Sequence, residues 1–271
     1  MLFHEAVPFP YLCRDISKME EKKQTRINKY LSEIGYCSRR GADKLIEAGR
    51  VTINGKVPEM GTKISEGDIV AVDGEQVSKT EEGHVYIAFN KPIGIVCTTD
   101  TRVEPDNIID FINFPRRIFP IGRLDKPSEG LIFLTSDGDI INKILRARNH
   151  HEKEYLVSVN YPITKGFLED MRAGVAILDT VTRPCEVEQI GRFEFKIILT
   201  QGLNRQIRRM CEALGYEVQT LQRVRIMNIH LNMPVGEWRD LTAAELKEID
   251  RMTEHSVKTY APDEEGMDEQ E

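Results

Sequence analysis

Long apolar runs are missing from this 271-residue chain; Leu131-Ile132-Phe133-Leu134 is among the longest. A membrane-crossing helix needs roughly 18 such residues, so a transmembrane protein is excluded. Cysteine is sparse, and its five positions (Cys13, Cys37, Cys97, Cys185, Cys211) form no C-x-x-C pair. That excludes a disulfide framework and a zinc ribbon, and makes a reducing cytoplasm the expected location. The six histidines show no zinc spacing; only His150-His151 are adjacent, and neighbours on a surface turn diverge. No G-x-G-x-x-G follows a strand, and neither a phosphate loop nor a G-x-S-x-G elbow is present. Any reaction is therefore expected to run on side chains alone, without cofactor or metal.

An excess of positive charge is also lacking, since the formal net charge is −7. The average conceals a strong asymmetry. Between Met252 and Glu271 seven acids stand against Lys258 alone, so this tail carries −6 and the rest of the chain about −1. With few apolar residues, the stretch 253–271 reads as a disordered acidic tail. Residues 1–23, interrupted by Pro8 and Pro10, read as a loose extension without the layout of a secretory signal, Met19 being a candidate initiator.

Two basic clusters remain. Between Lys22 and Arg50 eight bases, among them Arg26, Lys29, Arg39, Arg40, Lys44 and Arg50, face three acids. Arg205, Arg208, Arg209, Arg223 and Arg225 form the second cluster. Two such clusters in an otherwise acidic chain point to a phosphate-rich partner, a nucleic acid.

The first cluster lies on a recognisable module. Ile27, Tyr30, Leu31 and Ile34 fall on one helical face, and Gly35 stops that helix. Ser38 is placed to cap a second helix, reaching about Ala48, with Ala42, Leu45 and Ile46 inward. Strands are expected at Val51-Thr52-Ile53, before an Asn54-Gly55 hairpin turn, and near Ile69 to Val72. From His84 onward strand patterns dominate, at 85–89, 155–159, 193–199 and 224–231, with helices at 140–145 and 207–214. A last helix opens with Thr242-x-x-Glu245, a capping box, and runs to about Met252. The expected fold class is α+β, on a mainly antiparallel or mixed sheet with flanking helices.

One segment of the larger part suggests chemistry: Gly122-Arg123-Leu124-Asp125-Lys126 sets a carboxylate between cations, just ahead of the apolar run. Neighbouring positive charge keeps such an aspartate ionised, fit to act as nucleophile or general base. Taken alone, an Arg-x-Asp turn is more often a surface salt bridge.

In order with Lys153-Glu154-Tyr155 and with Gly202-Leu203-Asn204-Arg205-Gln206-Ile207-Arg208-Arg209-Met210, this segment resembles the pseudouridine synthases. The likeness is to the branch acting on ribosomal RNA, with a module like that of ribosomal protein S4 at residues 24–82 and a catalytic domain at 83–252. Within it, Phe119 to Asp125, Asn142 to Ala147 and Gly236 to Leu241 look most like the F-type large-subunit enzymes. The resemblance implies isomerisation of a uridine in large-subunit ribosomal RNA, with an anticodon-loop uridine of tyrosine tRNA as a second candidate substrate. It implies no cofactor, and a monomer is expected. By the same resemblance Asp125 is the essential carboxylate, Tyr155 stacks on the target base, and Arg208 pairs with Asp125. Lys153, Ile207, Arg205 and Arg123 complete the substrate-binding set, Arg123 as the residue that extrudes the nucleotide. The competing readings are a non-catalytic RNA-binding ribosome-assembly factor and a glycosidase-like hydrolase using Asp125 with Glu129 or Glu152.

Overall fold

The structure, a computed structural model, describes residues 24–78, 83–146 and 149–256. The expected N-terminal extension and most of the acidic tail lie outside these residues. The chain divides into two compact units, residues 1–80 and 81–271.

In the first unit β1 (Thr25–Arg26) leads into α1 (Ile27–Glu33) and α2 (Arg39–Glu47). These are followed by β2 (Val51–Ile53), β3 (Lys63–Ile64), β4 (Val70–Val72) and β5 (Glu75–Gln76). Ser38 caps α2 as expected, its Oγ accepting from Gly41 N–H at 3.0 Å. Ile27, Leu31, Ala42, Ile46, Val51, Ile64, Val70 and Val72 form the core of this unit. The Asn54-Gly55 turn closes only the bridge between Ile53 and Lys56. Strand β2 finds its partner β4 later in the chain, after β3 has paired with β1. The Asn54 side chain secures that return by donating to Asp68 and accepting from Ile69 N–H.

The second unit opens with β6 (Tyr86–Lys91), α3 (Ile108–Ile112), β7 (Phe119–Ile121), β8 (Glu129–Thr135) and α4 (Gly138–Leu145). Next come β9 (Lys153–Val159), α5 (Lys165–Ala173), the short strands β10 (Ala176–Ile177) and β11 (Thr180–Val181), β12 (Glu186–Gln189) and β13 (Glu194–Leu199). It closes with α6 (Gln206–Ala213), β14 (Val218–Ile226), β15 (Ile229–His230), β16 (Trp238–Asp240) and α7 (Ala243–Thr253). Among the described residues one sheet has nine strands, in the order β12-β13-β9-β14-β8-β6-β16, with β15 on β14 and β7 on β8. Its pairings are antiparallel except β14 with β8, so the mixed α+β expectation holds.

Both faces of this sheet are covered. Ile132 and Leu134 point into a core with α3, α5 and α6, while Leu131 and Phe133 point into another with α4 and α7. Two buried faces explain why β8 reads as an unbroken apolar run rather than an alternation. The expected strand 224–231 is instead the end of β14 and a short return strand, because Met227 turns the chain with φ 52°. The capping box of α7 is formed in both directions, and the helix ends at Thr253, one residue beyond the expected boundary. No helix among the described residues is long and apolar enough to cross a membrane.

The parallel contact of β8 with β14 depends on Gly130. At φ 106°, a Cβ built there would lie 2.3 Å from the Arg223 carbonyl oxygen and 2.7 Å from its nitrogen. Backbone cannot yield as a flexible side chain does. We expect Gly130→Ala to lower stability by at least about 2 kcal/mol, read as a drop in the chemical denaturation midpoint.

Candidate active site

Asp125 lies in the loop between β7 and β8. Gly122 enters this loop at φ 79°, with so little room that a Cβ would sit 2.9 Å from Leu145. Ser128 N–H donates to the Asp125 carbonyl, and Leu124 N–H points at the Cys97 sulfur at 3.4 Å, which pins both ends of the turn. The carboxylate keeps 34% of its side-chain exposure, enough to meet a ligand.

Two guanidinium groups from the start of α6 converge on it. Arg205 Nη1 lies 3.6 Å and Arg208 Nε 3.9 Å from Asp125 Oδ2. Arg205 holds the helix N-cap position in a left-handed conformation, φ 50°, which directs an exposed side chain back over the loop. Arg208 is more enclosed. Its Nη2 donates to Pro127 O and Ser128 Oγ, both at 3.1 Å, and its Nη1 to Val218 O at 3.3 Å. Its buried Nε has no hydrogen-bond partner. Burial, followed by the neighbouring Arg205 charge, pulls the Arg208 pKa below the usual range. Ile207, between the two arginines, is buried in the core with Tyr155, Leu124 and Met210.

Behind the carboxylate, the strands set Ile197, Tyr155, Arg223, Gly130 and Lys91 in one row across β13, β9, β14, β8 and β6. Tyr155 is 8% exposed. The Arg223 guanidinium lies 6.0 Å from the centroid of its ring, within cation–π range. Arg223 Nε donates to Leu131 O at 2.6 Å, and its buried Nη2 has no partner. Lys91 is fully buried and donates to Pro92 O and Ile95 O, each at 2.8 Å. Burial lowers its pKa, while the nearby Cys97, Asp125 and Glu129 push the other way.

Arg205 and Arg208 thus meet Asp125, Tyr155 and Ile207 share the core that includes Leu124 of the Asp125 loop, and Arg123 is exposed on that loop. Lys153 is buried two residues before Tyr155, with one long contact to His151 O at 3.5 Å. Burial and the Arg223 charge bring its pKa down to about 8. The sequence grouping of basic residues needs correction at two positions. Arg223 is interior, and Arg225 is mostly buried and paired with Glu152 and Glu154 at 3.0 and 2.9 Å. His151 is buried rather than on a surface turn, with Nε2 3.0 Å from Ser256 Oγ. Among the described residues no His/Cys/Asp/Glu group could hold a metal ion. The sequence reading missed Lys91; its signal was a lysine ending an apolar strand, a charge that topology carries indoors.

In the first unit Arg26, Arg39, Arg40 and Lys44 are exposed. Lys29 and Arg50 are less available. Lys29 pairs with Glu33 at 3.2 Å, and Arg50 grips Asp73 through two nitrogens at 2.7 and 2.5 Å.

The chain is similar to known proteins over both units. The RNA pseudouridylate synthase family matches residues 85–213, and the S4 domain family residues 25–70. Over 239 residues the chain is 56% identical to the dual-specificity RNA pseudouridine synthase RluF of Escherichia coli K12, covering 88% of this chain and 82% of that protein. It is 32% identical to ribosomal large subunit pseudouridine synthase B of Bacillus subtilis, covering 87% and 99% respectively. A solved pseudouridylate synthase structure matches with a TM-score of 0.61 at 30% identity, over 83% of this chain and 99% of that one.

The buried ammonium generates a pH signature. Lys153 titrates near 8 in the folded protein, against 10.5 for an ordinary lysine. Between those values the unfolded chain binds more protons, so stability rises with pH across the window. In Lys153→Met that rise should flatten, as measured by denaturant titrations at pH values spanning the window.

Proposed function

Because the chain belongs to the RNA pseudouridylate synthase family, we propose that it isomerises a uridine of large-subunit ribosomal RNA at Asp125. An anticodon-loop uridine of tRNA is the second substrate, in keeping with the dual specificity named for its Escherichia coli relative. The observation that carries this reading is the approach of Arg205 and Arg208, at 3.6 and 3.9 Å, to a half-exposed carboxylate on a pinned loop. As a pseudouridine synthase the chain is a catalyst, which sets aside the assembly-factor reading.

The chemistry fits these side chains. The bond from sugar to ring nitrogen breaks and a bond from the same sugar carbon to carbon five of uracil forms; nothing is oxidised or lost. The carboxylate either attacks the anomeric carbon or removes the adjacent sugar proton, and in both cases it must be ionised. Arg205 and Arg208 stand beside it at 3.6 and 3.9 Å. Tyr155, backed by Arg223, offers a fixed aromatic face for the freed uracil, and Ile207 lines the apolar side. A base then removes the proton from carbon five. Arg123, exposed on the Asp125 loop, is placed to meet the nucleotide as it leaves its stack, a step that costs least for an unpaired uridine. Arg39, Arg40 and Lys44 engage phosphates, and the enzyme works as a cytoplasmic monomer.

Tritium release from RNA labelled at carbon five of uracil tests the assignment. Asp125→Asn should reduce release by about a thousandfold or more while RNA binding persists; wild-type turnover in this variant would refute the role. Replacing Arg39, Arg40 and Lys44 together with alanine should weaken binding and lower the salt slope by roughly two, since each phosphate contact contributes about 0.7–0.9. Unchanged affinity would remove this unit as the RNA clamp.

A further inference from the structure

The β10–β11 hairpin carries exposed apolar surface that neither the core nor the reaction explains. Ile177 pairs with Thr180 and is buried in the same core as Ile207. The other pair, Ala176 with Val181, turns outward, and Val181 is 63% exposed. At the tip Leu178 and Asp179 have φ 49° and 58°, and Leu178 is 40% exposed. Left-handed backbone suits glycine or asparagine; a leucine there is strained, and much of this one stays in solvent.

This hairpin rises at the reacting end of the sheet. Glu186 pairs with Ile198, and Leu199 with Lys153, so the residues after β11 lie beside the exit of β13 toward residues 201–205. Arg183 N–H donates to Gln201 Oε1 at 2.5 Å, tying the hairpin root to that exit. Strand β10 also packs on α6, the helix that follows Arg205 and carries Arg208. The hairpin root therefore lies beside the segment that leads into Arg205, whose exposed side chain supplies charge suited to phosphates.

We infer that Leu178 and Val181 form a wedge that contacts base faces of the RNA next to the uridine drawn to Asp125. Extrusion of a nucleotide leaves a gap in the stack, and an apolar side chain pressed against the exposed bases offsets the lost stacking. The inference rests on the proposed role of Asp125. It commits to RNA as the occupant; a second copy of this chain is the rival.

The test uses a synthetic stem-loop around the uridine mapped by tritium release, and the same strand without its pairing partner. The variant Leu178→Asn/Val181→Thr suits the turn and strand at least as well as the native pair, so a loss of activity does not reflect misfolding. Expected are a fall of about tenfold or more in kcat/KM on the paired RNA and a change within about twofold on the unpaired strand. The fluorescence rise of 2-aminopurine placed beside the target should shrink in parallel. Equal effects on both RNAs, or none, would overturn the wedge and leave the Asp125 assignment standing. Sedimentation showing a wild-type dimer that the variant splits would assign the hairpin to a second copy, against the inference. Full release by Asp125→Asn would overturn both readings.

Discussion

The close approach of β8 and β14 at Gly130 is the constraint on which the site depends. It brings the Arg223 backbone where a Cβ would otherwise stand. The same pairing aligns Tyr155, Arg223 and Lys91 in one row. It also fixes the start of β8, immediately after the loop that presents Asp125. Backbone geometry at one residue thereby sets an aromatic face, two interior cations and the loop of Asp125 in a common frame.

Those cations are held in an unusual manner. Lys91 and Arg223 are buried against backbone carbonyls rather than carboxylates. Burial of an unpaired charge is costly, and carbonyl oxygens offset part of that cost while leaving the positive charge uncancelled. The Lys91 charge reaches Asp125 from within the protein, while Arg205 and Arg208 approach it from the α6 side at 3.6 and 3.9 Å.

Much of this was legible in the sequence because it depends on local chemistry. Ser38 and the Thr242–Glu245 pair marked helix starts through side-chain caps, and the apolar run within β8 stood out, though not as a strand. The Asp125, Tyr155 and Arg208 segments could be identified by their order and resemblance. Features set by distant pairing were hidden. Asn54-Gly55 looked like the turn of a hairpin, yet β2 waits for β4. Arg223 and Arg225 looked like members of a basic surface; their depth follows from the central position of β14. Lys91 was silent because nothing nearby in sequence reveals which strand lies beside it. The helices α3 and α5 also escaped notice, α3 being only five residues long.

Arg208 spans two elements: it reaches Asp125 and also binds Pro127 O and Ser128 Oγ across the loop. Helix α6 and the Asp125 loop are consequently tied together, because separating them would strand a buried guanidinium. An enzyme built this way has little freedom to reshape itself around its ligand.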